Sequence, residues 1–228
     1  MSSAAAVATS SEPMTAAPTP ETPMTAPIQA HIEQTIEDLL ASLPDATQLT
    51  AEARRGILAR YTAVLEGNFI YWMTGAYLAV GTDAARDKII DNLREEIRDS
   101  HPHMLRRFAI AAGAMPTDGD AQDIYRHLTD VRLFIGRLQP VPIVVTMAFF
   151  EGFIQRFMPY LADLAARQGS TEMEYTDVHG VCDVTHTQEL FRALEAEMAL
   201  ARPTPVDELF EGVGLLRTLV QNIVFNVN

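Results

Sequence analysis

Two imidazoles and a carboxylate recur at helical spacing in one stretch of this sequence: His179, Asp183 and His186, at i, i+4 and i+7. On an α-helix those steps return to nearly the same angle, so the three side chains project from one face. Such a stripe is half of a metal site. Imidazole nitrogens and carboxylate oxygens are borderline-to-hard donors that suit iron, manganese or zinc. A solvated helix face could carry the same residues, so the reading needs partners elsewhere in the chain.

Two glutamates stand where carboxylates are expensive. Glu66 lies within Tyr61–Met73 and Glu151 within Met147–Ile154, and in both segments the helical neighbours are almost all apolar. A buried carboxylate without a partner tends to take up a proton, whereas one bound to a cation keeps its charge. An exposed stripe, or pairing with Arg60 or Arg156, is the plainer explanation for either glutamate alone. A third segment supplies Glu95, Glu96 and His103. Glu96 and His103 share a face only if one helix runs through Pro102, and proline disrupts the preceding turn. If Ser100 instead starts a new helix, Asp99 and His101 become substitutes. His31 and His127 read as surface residues. Cys182, beside the stripe, reads by default as a small buried hydrophobe, with soft ligand or oxidation-prone thiol as the alternatives.

The donor set is therefore Glu66, Glu96, Glu151, Asp183, His103, His179 and His186. That is too many for one tetrahedral zinc. It suits two ions of octahedral preference with bridging carboxylates. No Glu-x-x-His occurs in the sequence, which disfavours the ferritin-like di-metal bundles.

The elements that must position these donors are helical throughout. Residues 1–27 are rich in Ala, Ser, Thr, Pro and Met and read as a disordered tail. From residue 28 to 228 the apolar spacing predicts one all-α domain of about seven helices. A long helix is expected from Ala51 to about Val80, and another from Gly81 to Asp99. A short one follows to Ala112. Asp120 is expected to cap a helix reaching Leu138. An apolar helix with a kink at Pro159 follows Pro140. The stripe helix begins at Gly169, and a last helix spans Val206 to Phe225.

Composition sets limits. The chain has 228 residues, enough for one sizeable domain. A net charge of −13 disfavours nucleic acid and anionic membranes as partners. The single cysteine rules out an internal disulfide and points to a reducing, cytoplasmic location. No apolar run reaches membrane-span length without charge, Gly or Pro. The first Arg or Lys is Arg54, so no secretory or mitochondrial leader is expected.

The pattern resembles the haem-oxygenase-like diiron oxidases and oxygenases. The resemblance rests on His179-x3-Asp183-x2-His186, on Glu151 about thirty residues upstream, on the Glu96/His103 pair and on Glu66. It covers about residues 60–190. It implies a haem-oxygenase-like bundle that binds two Fe(II) ions instead of haem and uses O2 as co-substrate. It further implies oxidation of a small amino acid, amine or fatty acid, with N-oxygenation, desaturation, ring closure or C–C cleavage as outcomes, often in natural-product biosynthesis. Asp183 and Glu151 would bridge the ions. Phe69, Ile70, Met73 and Ile154, one helical turn from the donors, are expected either to line the pocket or to be ordinary core. Asp177, Thr187 and Glu189 are near enough in sequence to be candidates for orienting the histidines. An amino acid or amine is the expected substrate, and a homodimer is left open. Two other readings compete: a metal-independent enzyme of the same fold, of the thiaminase-like or quinone-cofactor-maturation kind, and a non-enzymatic helical adaptor.

Overall fold

A computed structural model of the chain describes residues 24–226. Most of the expected tail, residues 1–23, lies outside the described residues. Among the described residues there are nine helices and no strand. They are α1 (Ala26–Ala41), α2 (Ala51–Ala79), α3 (Asp83–Arg98), α4 (His101–Ala111), α5 (Asp118–Ile135), α6 (Pro140–Arg167), α7 (Glu174–Met198), α8 (Val206–Leu209) and α9 (Glu211–Phe225).

The boundaries follow from local chemistry. Thr50 and Thr82 each accept a hydrogen bond from the backbone N–H three residues on, which starts α2 and α3. At α5 the cap is Thr117 and not Asp120. The Asp120 carboxylate in turn accepts from the Thr117 N–H, so the two form a capping box. The stripe helix starts later than its sequence suggests, at Glu174, because Gly169 adopts φ 88 and ends α6. Proline at α1, α4 and α6 sits in the first turn, where its missing N–H costs nothing. The last segment divides at Phe210 into α8 and α9.

The centre of the bundle is α6, which packs against α7, α2, α9 and α1. Phe149, Phe150, Phe153 and Phe157 along it are buried, and the Phe153 and Phe157 rings stack at 4.9 Å. Each such ring stabilises the fold by about 1.5–3 kcal/mol through burial. Length and composition alone would let α6 cross a bilayer, but 83% of its most apolar window is buried inside the bundle, as in a core helix. Helix α6 continues through Pro159 to Arg167.

The junction between α3 and α4 decides the site. Ser100 adopts the left-handed conformation, φ 56, and makes no side-chain cap. The chain therefore turns between Asp99 and His101, and α4 restarts on a new axis. A continuous helix through Pro102 is not formed, and the face shared by Glu96 and His103 does not exist.

Candidate metal centre

Four helices bring donors together. On α7 the buried residues Tyr175, His179, Asp183, His186 and Leu190 form one stripe, with the donors in its middle. On α3, Asn92 and Glu96 are buried, and Glu95 is half-exposed. Helix α6 supplies Glu151, 2% exposed, and α4 supplies His101.

The donors form two groups. In the first, Glu96 Oε1 lies 2.7 Å from His101 Nδ1 and 3.9 Å from His179 Nε2. The His101 and His179 rings meet edge-on at 4.5 Å. In the second, His186 Nδ1 lies 3.6 Å from Asp183 Oδ1 and 3.7 Å from Glu151 Oε1. Cys182 Sγ donates to Asp183 Oδ1 at 3.1 Å. Ligand atoms of Glu96, His101 and His179 lie within 4.8 Å of one another, as do those of Cys182, Asp183 and His186.

Each stripe histidine has one nitrogen fixed by a protein acceptor. His179 Nδ1 is 2.8 Å from the Tyr175 carbonyl, which can only accept, so the proton is on Nδ1 and the Nε2 lone pair faces Glu96. His186 Nε2 is 2.9 Å from Glu95 Oε2, which leaves Nδ1 toward Asp183 and Glu151. Backbone carbonyls and outer carboxylates orient metal-bound histidines in this way. The orienting groups are thus Tyr175 and Glu95. Asp177 is exposed, Glu189 pairs with Lys88 and Arg192, and Thr187 faces Gly152. Asn92 Nδ2 donates to Glu151 Oε1 at 2.6 Å. Asn92, Glu95 and Glu96 stand at i, i+3 and i+4, so helical spacing could have revealed this second stripe.

Two donors proposed from sequence lie elsewhere. His103 is exposed on α4, and His101 takes its place in the cluster. The left-handed turn at Ser100 is the reason, since it directs the first residue of α4 inward and the third outward. Glu66 is half-exposed and pairs with Arg106 at 2.7 Å, a partner supplied by α4 and not by Arg60 or Arg156. Asp99 is on the surface, paired with Arg98.

Burial and crowded charge disturb the titrations. Burial raises the Glu96 pKa, and the hydrogen bond from His101 only partly offsets it. Burial acts to lower His101, but the hydrogen bond to Glu96 and the charges of Glu96, Asp183 and Asp99 together outweigh it and raise the group. Burial lowers His179 to about 4, helped by the charge of His101. Burial also acts to lower His186, but Asp183, Glu151 and Glu95 outweigh it and raise the group to about 11. Asp183 is raised by burial and then by Glu151. Such opposed shifts among neighbours mark a functional site more often than a structural one.

A cavity of about 20 Å³ lies at the cluster, room for a water-sized occupant. Leu65, Phe69, Ile70, Leu105 and Ile154 form its apolar wall, and the donor carboxylates and imidazoles its floor. Met73 belongs to the packed core and not to this wall.

The sequence profile of the iron-containing redox enzymes matches residues 59–219, a span holding every donor named above. The chain belongs to that family. No curated protein matches it. An iron-containing redox enzyme is an oxidoreductase, and this one has the haem-oxygenase-like helical fold. Its buried cluster fits iron. The donors of the first group are nitrogen and oxygen, and Asp183 Oδ2 and His186 Nδ1 are buried without a hydrogen-bond partner among the described residues. Unpaired buried polar atoms are costly, and a cation between them would satisfy both.

Proposed function

We propose that this iron-containing redox enzyme is a non-haem diiron oxidase or oxygenase, with O2 as co-substrate and a small amine or amino acid as substrate, in natural-product biosynthesis. The carrying observation is that two donor groups, Glu96/His101/His179 and Cys182/Asp183/His186, the latter with Glu151 3.7 Å from His186, stand side by side, and that Glu96, His101, Glu151, His179 and Asp183 line one cavity. One ion would be held by each group. Bound ferrous iron supplies the O2 activation that side chains lack.

The remaining work falls to the chain. The Tyr175 carbonyl keeps His179 in the tautomer that presents a lone pair inward, and Glu95 holds His186 Nε2 so that Nδ1 would offer its lone pair once a cation displaces its proton. Asn92 holds Glu151 in place. The aliphatic and aromatic wall excludes bulk water, which strengthens every electrostatic contact on the floor. A carboxylate-rich floor in an acidic protein attracts a cationic amine. Leu65, Phe69, Ile70, Leu105 and Ile154 offer apolar contact to the hydrocarbon part of such a substrate, for which the cavity of about 20 Å³ would have to widen, and Ile70 and Pro102 are its half-exposed edge.

Metal analysis after anaerobic Fe(II) loading tests this reading. About two irons per chain are expected, followed by O2-dependent turnover of a member of an amine and amino-acid panel. Iron content near zero, or full activity in the presence of a chelator, would sink it.

A further inference from the structure

The second donor group contains an atom that the iron reading leaves idle, the Cys182 thiol. Cys182 is half-buried and is the only cysteine in the chain. Its Sγ lies 3.1 Å from Asp183 Oδ1. Asp183 is 1% exposed, and its second oxygen has no partner. His186 Nδ1 is likewise buried and unpaired, 3.6 Å from Asp183 Oδ1 and 3.7 Å from Glu151 Oε1.

These separations can be compared with those around one tetrahedral ion. Zinc bonds of about 2.3 Å to sulfur and 2.0–2.1 Å to nitrogen and oxygen place sulfur and oxygen donors about 3.5 Å apart, and nitrogen and oxygen donors about 3.3 Å apart. The Cys182–Asp183 and His186–Asp183 separations stand within about 0.4 Å of those values, and ligand atoms of Cys182, Asp183 and His186 all lie within 4.8 Å of one another. The donors differ in softness from the first group, which contains no sulfur. Thiolate selects thiophilic ions, and zinc lies above Fe(II) in the affinity order for divalent metals.

We propose that Cys182, Asp183 and His186 form a three-donor site for a thiophilic divalent ion of the zinc class, with Cys182 as its thiolate ligand and Glu151 beside His186. Zinc thereby competes with iron for this half of the centre and not for the Glu96/His101/His179 half. Binding displaces the thiol proton to solvent, and the hydrogen bond from Cys182 to Asp183 is replaced by two bonds to the ion. The proposal rests on the diiron reading only in that Asp183 and His186 share one ion.

Anaerobic titration of the full chain with Co(II), a spectroscopic stand-in for zinc, tests it. A thiolate-to-cobalt charge-transfer band in the near ultraviolet is expected, and it should be absent in Cys182→Ser and Cys182→Ala. Zinc affinity, measured by competition with a chromophoric chelator, should fall at least about tenfold in both variants, while Fe(II) affinity changes little. Unchanged far-ultraviolet circular dichroism guards against misfolding. If Co(II) binds without the band, or zinc binds wild type and variants alike, the thiolate site is wrong and the diiron reading stands. If neither Co(II) nor Fe(II) binds, both fall.

Discussion

Glu197, near the end of α7, accepts hydrogen bonds from the Thr82 hydroxyl at 2.6 Å and the Thr82 N–H at 2.8 Å, just ahead of α3. It also accepts from the Gly81 N–H at 3.0 Å. A buried carboxylate thus caps the positive end of α3 from another helix. Because α3 carries Glu95 and Glu96, and α7 carries the stripe, this contact fixes the two donor helices against each other.

Glu197→Ala should therefore act on both stability and site. It removes the acceptor of three hydrogen bonds from the exposed Gly81 and the half-buried Thr82, which water can partly replace, a cost of about 1–3 kcal/mol. Thermal unfolding should show Tm lower by several degrees, and iron loading should weaken although no donor is touched. Unchanged iron affinity would mean that the contact serves stability alone.

The two α4 histidines should separate cleanly. His101→Ala should lower iron affinity at least tenfold, a loss of about 1.4 kcal/mol or more. His103→Ala should leave iron content and activity unchanged, because the side chain is exposed. Metal analysis of the two variants decides, and the reverse result would place the α3–α4 turn differently.

Glu66 should prove dispensable for metal. Its partner Arg106 is half-exposed, and a pair of this kind contributes under about 1 kcal/mol. Glu66→Gln should load the same amount of iron as wild type and melt within a degree or two of it. A loss of one iron would restore Glu66 as a ligand.

In the metal-free protein the contributions of the two stripe histidines are together greatest near pH 6.5, while Asp183 and Glu96, both raised by burial, contribute most at lower pH. His179 is depressed to about 4, so its contribution is present above 6.5 and is lost as the pH falls toward 4. His186 is raised to about 11, so its contribution is complete below 6.5 and is lost as the pH climbs through 11. Thermal melts across this range should show both limbs. His179→Gln should flatten the acid limb, which is worth up to about 3 kcal/mol. An optimum at pH 9 would contradict the assignment.

Helical spacing made the α7 stripe legible, because three donors on a regular helix need no tertiary information. Glu151 was legible for a related reason: a carboxylate among Phe149, Phe150 and Phe153 must face something that holds its charge. Glu66 looked the same in sequence, yet α2 has a face left open beside α4, where Arg106 waits. Only packing separates the two. The exchange of His103 for His101 turns on one backbone dihedral, φ 56 at Ser100, and serine carries no signal for that conformation. The groups that orient the histidines were hidden more deeply. One is a main-chain carbonyl, and the other, Glu95, is in contact only because two helices ninety residues apart lie side by side.

The turn at Ser100 also bears on how relatives of this chain are recognised. It lets an acid and an imidazole only five positions apart, Glu96 and His101, meet from two helices of different direction. A search pattern written for an uninterrupted helix, with donors three, four or seven positions apart, passes over such a pair. Chains that look one ligand short by that rule can be complete, with the missing imidazole just past a bend.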